Sequence, residues 1–209
     1  MAAYFDCLIH ATHTARLINS IAIQHRSTVY MEAPIDLNRF ILTMTETAYL
    51  QVKAACDGLT DEQFFSQPTT DSNHIAWLVW HMSRARDVIT SNIIGEDQVW
   101  VSNGWADRFG MDIGDVGIGD SPEKVTAFKV DRSLVMGYLD DAHEATARRL
   151  SMISAERFDQ LVVYALGDER PVWRALVGMA GDSAQHTGQI SYLRGTFTGI
   201  GWRSRAGWN

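Results

Sequence analysis

Residues 176–193 read LVGMAGDSAQHTGQISYL. Within them Leu176, Met179, Ser183, His186, Ile190 and Leu193 recur at alternating intervals of three and four. That period lines side chains along one inward seam of a bundle helix. The same alternation runs through His74, Leu78, His81, Ala85 and Val88, in a helix predicted from Ser72 or Asn73 to Gly95. Spacings of three or four also run through Leu37, Ile41, Met44, Ala48, Val52, Ala55 and Leu59, and through Val135, Leu139, Ala142, Thr146, Leu150 and Ile153. Four amphipathic helices, over about 36–59, 72–95, 131–154 and 170–196, predict an all-α four-helix bundle.

The segments between them read as connections. Thr60–Thr70 is polar, contains Pro68 and is expected to be a loop. Glu96–Pro122 is glycine-rich and long, an irregular connection between helices 2 and 3 with at most one short strand or turn. Its length marks it as a functional loop, suited to cover a site. Phe158–Leu166 reads as a short extended segment ending at the turn Gly167-Asp168, and Pro171 suits the first turn of the last helix. Residues 200–209, with Trp202 and Trp208, form a tail without predicted structure. Residues 1–30 lack amphipathic order and read as an N-terminal extension, the bundle domain spanning 31–209.

Composition narrows the function. Eighteen basic and 25 acidic residues leave a net charge of −7 in 209 residues, so a nucleic-acid partner is not expected, since phosphate binding needs a basic face. No apolar run is long enough to span a membrane. Cys7 and Cys56 form no C-x-x-C pair and read as reduced thiols, which fits a cytoplasmic location.

Polar residues on the seams point to chemistry. Asp182 lies one turn before His186 on the inward side of the last helix, and His74 and His81 both lie on the seam of the second. A carboxylate in a core is costly unless paired or bound to a cation. Two imidazoles and a carboxylate converging from two helices would hold a divalent metal. His74 and His81 are separated by seven residues, about 10 Å of helix, too far to share one ion. His81 lies at mid-helix, level with Asp182 and His186, so the expected ligands are His81, Asp182 and His186. Zinc is the first expectation by ligand type and nickel the second. Gln189, further along the same helix, is an expected hydrogen-bond partner of the site.

Other features carry less. His10 and His13 form an H-x-x-H pair in the N-terminal extension, a weaker metal candidate. Gly117-Ile118-Gly119 lacks the setting of a dinucleotide loop and reads as a flexible turn, and no G-x-S-x-G elbow occurs. Arg84 and Arg86 are expected on an exposed helix face, with a cation near the metal centre as the alternative; Trp77 and Trp80 are expected in packing, with a pocket mouth as the alternative; and His143 beside Glu144 is expected in solvent.

The segments NHIAWLVWHMSRARD (73–87) and GDSAQHTGQISYLRG (181–195) resemble the second and last helices of the DinB/YfiT-like superfamily. The likeness extends in order and spacing over roughly residues 36–197. It implies a four-helix bundle that binds zinc, nickel or a related ion through three side chains, here His81, Asp182 and His186. Many relatives carry histidine at the position of Asp182, and a carboxylate there is similar to the maleylpyruvate isomerase branch. The resemblance implies a metal-dependent S-transferase or isomerase. Its cosubstrate would be a low-molecular-weight thiol such as mycothiol or bacillithiol, activated as the thiolate against a small electrophile. A homodimer is compatible with it. The alternatives are a metal-dependent hydrolase and a non-catalytic, stress-associated bundle whose metal is structural or absent.

Overall fold

A computed structural model describes residues 36–164 and 167–199. The N-terminal extension with its H-x-x-H pair, and the tail with Trp202 and Trp208, lie outside the described residues. Four long helices form the bundle: α1 (Leu37–Cys56), α3 (Ile75–Ile94), α7 (Arg132–Ser151) and α8 (Val172–Thr198). Four short ones join them: α2 (Asp61–Phe64), α4 (Val99–Ser102), α5 (Trp105–Phe109) and α6 (Pro122–Ala127). A two-stranded antiparallel hairpin, β1 (Leu161–Val163) with β2 (Glu169–Pro171), precedes α8 in the register Val162 opposite Arg170. No described helix is long and apolar enough to cross a membrane.

α1 and α3 each pack against both α7 and α8. Arg132, at the start of α7, donates to the Cys56 carbonyl at the end of α1 (2.6 Å), so these two run antiparallel. Arg194, near the end of α8, reaches the Asp57 carbonyl just beyond α1 (2.6 Å), so α1 and α8 run parallel. Arg84 meets Tyr138 and Thr90 meets Arg149, which makes α3 and α7 parallel. A twenty-residue helix is about 30 Å long, and a parallel successor forces the chain to return that distance. Residues 95–131 make this return.

That connection is helical in pieces and packed, rather than irregular. Trp100, Trp105, Phe109, Val125 and Phe128 are buried in one cluster with Trp77, Trp80 and Met82 of α3. With α7, α8 and this connection packed around it, only Ala85, Asn92 and Ile94 of α3 are less than buried. A one-sided seam was therefore too narrow a reading of α3. Arg84 and Arg86, expected on an exposed face, are inside. The connection supplies the second wall that a bundle of four helices alone would not.

Smaller departures have local causes. Thr60 and Gln63 form a reciprocal capping box and Phe64 is buried, so part of the expected 60–70 loop is the helix α2. The extended segment before Gly167 pairs with a second strand, and Pro171 serves as N-cap of α8 instead of its first turn. His143 is half-buried rather than solvated. Its Nε2 lies 2.8 Å from Glu46 and its ring stacks on Tyr49 at 3.9 Å.

The apolar core is divided. One cluster holds Ile75–Met82 of α3, Val135–Ala142 of α7 and Ile190 with Leu193 of α8. The other holds Ile89 and Ile93, Leu150, and Val172–Ala180. Between them lies a buried polar layer: Ser83, Arg84, Arg86 and Asp87 from α3, Thr146 and Arg149 from α7, Ser183 and His186 from α8. Asp87 anchors it. Its carboxylate accepts from Arg149 (2.8 Å), the Tyr138 hydroxyl (3.0 Å) and the backbone N–H groups of Val99 (3.1 Å) and Trp100 (2.9 Å).

Candidate metal centre

The antiparallel crossing of α3 and α8 brings His81, Asp182 and His186 together at the edge of the polar layer. One donor atom from each lies within 4.8 Å of the others. His186 Nε2 is 3.2 Å and His81 Nε2 4.0 Å from Asp182 Oδ1. The two rings meet edge to face, with centroids 5.0 Å apart.

Hydrogen bonds at the far side of each ring decide which nitrogen faces inward. His81 Nδ1–H donates to the Val116 carbonyl at 2.6 Å, and His186 Nδ1–H donates to Gln189 Oε1 at 2.7 Å. A carbonyl oxygen only accepts, so both neutral rings carry their proton on Nδ1 and offer the Nε2 lone pair to the centre. This is the arrangement in which an outer hydrogen bond orients a metal-binding imidazole. Gln189 thus stands where the sequence placed a supporting partner. The Val116 carbonyl had no sequence signal, because any residue supplies one.

Val116 is held in place from several directions. Gly117 has φ 77°, and a Cβ there would sit 2.8 Å from Trp80, 2.9 Å from Trp77 and 3.0 Å from His81 Nδ1. Gly117 is therefore pressed against α3, whereas a Cβ at Gly119, also at positive φ (79°), would meet open space. Arg84 donates to the carbonyls of Asp115 (2.9 Å) and Ile113 (3.2 Å). Trp77 stacks on His81 at 4.8 Å and donates its indole N–H to Asp120 (3.0 Å), which Lys124 ties to Asp115.

Charge and burial agree with a cation-binding role. Burial lowers the His81 pKa, against the opposing pull of the Val116 carbonyl and Asp182. Burial acts the same way on His186, but the bonds its protonated ring would make to Asp182 and Gln189, with the Asp182 charge, outweigh it and raise the pKa. Asp182 is half-buried, 29% exposed at its side chain, and its Oδ2 is buried without a hydrogen-bond partner among the described residues. Two lone pairs and a carboxylate facing one another repel unless a proton or metal ion lies among them. The donor set of two imidazoles and one carboxylate fits a divalent ion such as zinc.

His74 stands apart. It is the N-cap of α3: its Nδ1 accepts from the Trp77 N–H (3.0 Å), and its Nε2–H donates to the Val125 carbonyl (3.0 Å). Beside the centre, a groove of about 690 Å³ runs between the start of α3 and the second half of α8. Leu78, Asn73, Gln185, Tyr192 and Gln189, the partner of His186, line it.

No curated protein matches this chain in sequence. Among solved structures, a conserved protein of locus from Enterococcus faecalis shares the fold, with a TM-score of 0.69 at 21% identity. The match covers 79% of this chain and 99% of that one. Residues 44–190, well over half of the sequence, match the profile of the DinB superfamily. The chain therefore belongs to the DinB superfamily.

Proposed function

We propose that this protein is a divalent-metal-dependent enzyme that joins a low-molecular-weight thiol to a small electrophile, as an S-transferase or an isomerase. The observation that carries the reading is the pair of imidazoles whose Nδ1 positions are already bonded and whose Nε2 atoms face Asp182. His81, Asp182 and His186 would hold the ion, zinc by donor type and nickel as the second choice. Three protein ligands leave room for an exchangeable one. A bound divalent ion stabilises the deprotonated form of a thiol or of water at neutral pH.

The chain's own residues supply orientation and access. Val116 and Gln189 fix the rings, Trp77 covers one face of His81, and the groove beside Gln189 is large enough for a small-molecule pair. The half-exposed edge of Asp182 also admits water, which favours hydrolysis as the second reading.

Cobalt substitution of protein purified without an affinity tag separates these. A thiol that shifts the d–d bands and adds a sulfur-to-cobalt band supports the thiol reading. A response to pH and azide but not to thiols points to a hydrolase. A spectrum indifferent to all three, with stability lost on metal removal, shows a structural ion.

A further inference from the structure

Three arginines lie in the polar layer, and two of them are matched. Arg149 binds Asp87 at 2.8 Å, and Arg84 lies 3.6 Å from the same carboxylate while donating to loop carbonyls. Arg86 is different. It is 1% exposed, and its Nε donates to Ser183 Oγ at 3.0 Å, while Nη1 and Nη2 are buried with no partner among the described residues. Ser183 directly follows Asp182 in α8. From α7, His143 Nδ1 and Thr146 Oγ1 are also buried without partners, and neither brings a negative charge.

Asp182, next in the chain to the Ser183 that takes the Nε bond, is the carboxylate whose charge opposes the effect of burial on Arg86. Burial pushes the Arg86 pKa down to about 10, with Asp182 opposing, so the side chain remains a cation at neutral pH. A buried cation without a contacting anion is costly. Its bonded partner Ser183 adjoins Asp182, whose own Oδ2 lacks a partner among the described residues.

We propose that Arg86 is the buried counter-charge of the centre and selects an anion as its exchangeable ligand. The inference rests on the metal reading above. Two neutral imidazoles, Asp182 and Arg86 sum to zero, so a divalent ion held there keeps its full charge of +2. Without Arg86 the same centre would carry +1. The higher charge, in a low-dielectric layer, favours a thiolate or another anionic ligand over a neutral one. Arg86 acts through the field of the site and is a positioning residue, not a catalytic one.

The test compares wild-type, R86K and R86M proteins loaded with cobalt, titrated separately with azide and with neutral imidazole. R86M should bind azide weaker on the order of tenfold, the scale of one buried unit charge within about 10 Å. R86K should stay near wild type, and imidazole affinity should be alike in all three. R86Q replaces R86M if circular dichroism shows that the methionine variant does not fold. Equal loss of azide and imidazole binding, or R86K behaving as R86M, would show a packing role and overturn the proposal. Unchanged azide affinity in R86M would do the same while leaving the metal reading intact. Absence of cobalt uptake by the wild type would overturn both.

Discussion

The Nδ1 atom of His81 lies 2.6 Å from the carbonyl oxygen of Val116, a residue 35 positions away in the chain. This bond turns an imidazole on a central helix into one half of a convergent pair. It also explains why the connection after α3 is packed down by Arg84, Trp77 and Lys124 rather than left open. A loop that orients a proposed metal ligand has to be as rigid as the helix it faces.

Removing a ligand should separate the two histidines of α3. His81→Ala and His186→Ala should each abolish tight metal uptake, and Asp182→Asn should weaken it by removing the negative charge. His74→Ala loses a helix cap, a cost of about 1 kcal/mol, but should keep metal content. Elemental analysis with urea unfolding reads both quantities; equal metal loss in His74→Ala would contradict this assignment.

Gly117→Ala tests the orienting loop. The added Cβ meets Trp77, Trp80 and His81 at about van der Waals overlap, and the left-handed φ adds strain. The Val116 carbonyl must then move. Metal affinity should fall roughly 10–100-fold, the usual scale for an outer-shell partner, while the far-ultraviolet dichroism stays native. Gln189→Ala should give a loss of the same order through His186. Calorimetric titration of the apoprotein with zinc measures both.

Two acidic residues should differ sharply in their effect on stability. Asp87→Ala leaves buried Arg149 without its partner and frees the N–H groups of Val99 and Trp100, so about 3–5 kcal/mol should be lost. Asp140→Ala removes an exposed pair with Lys53, worth about 1 kcal/mol or less. Denaturant titration of the two variants decides whether burial, rather than the number of bonds, sets the cost.

Acid stability should depend on Glu96. Its hydrogen bond from Arg148, reinforced by the charges of Arg148 and Arg149, lowers its pKa to about 2 from an ordinary 4.5. A depressed carboxylate contributes stability that is present above the unfolded pKa and lost as pH falls through the folded one. The wild type should therefore lose this contribution between about pH 4.5 and pH 2, and Glu96→Gln should show a shallower decline over that window. Melting temperatures measured across it provide the check; identical slopes would assign no role to the pair.

Much of the bundle is legible in periodicity because helix formation is local. Ile41, Ala48, Val52 and Ala55 are buried on α1, and Val135, Leu139, Ala142, Thr146 and Leu150 on α7, as their three- and four-residue spacing requires. The N-cap at Asp131 and the left-handed Gly95 end their helices by the same local rules. Periodicity also puts His81, Asp182 and His186 on inward faces, since a helix fixes the direction and height of each side chain.

What sequence spacing leaves open is decided by contacts between residues far apart in the chain. The depth of Arg84 and Arg86 follows from the wall that Trp100, Trp105 and Phe128 build over α3, which no pattern within α3 records. The tautomer of His81 follows from a carbonyl supplied 35 residues later. His143 reads as solvated because its partners Glu46 and Tyr49 belong to another helix. Local sequence sets which face a residue occupies; the packing of α3 between its neighbours sets what that face meets.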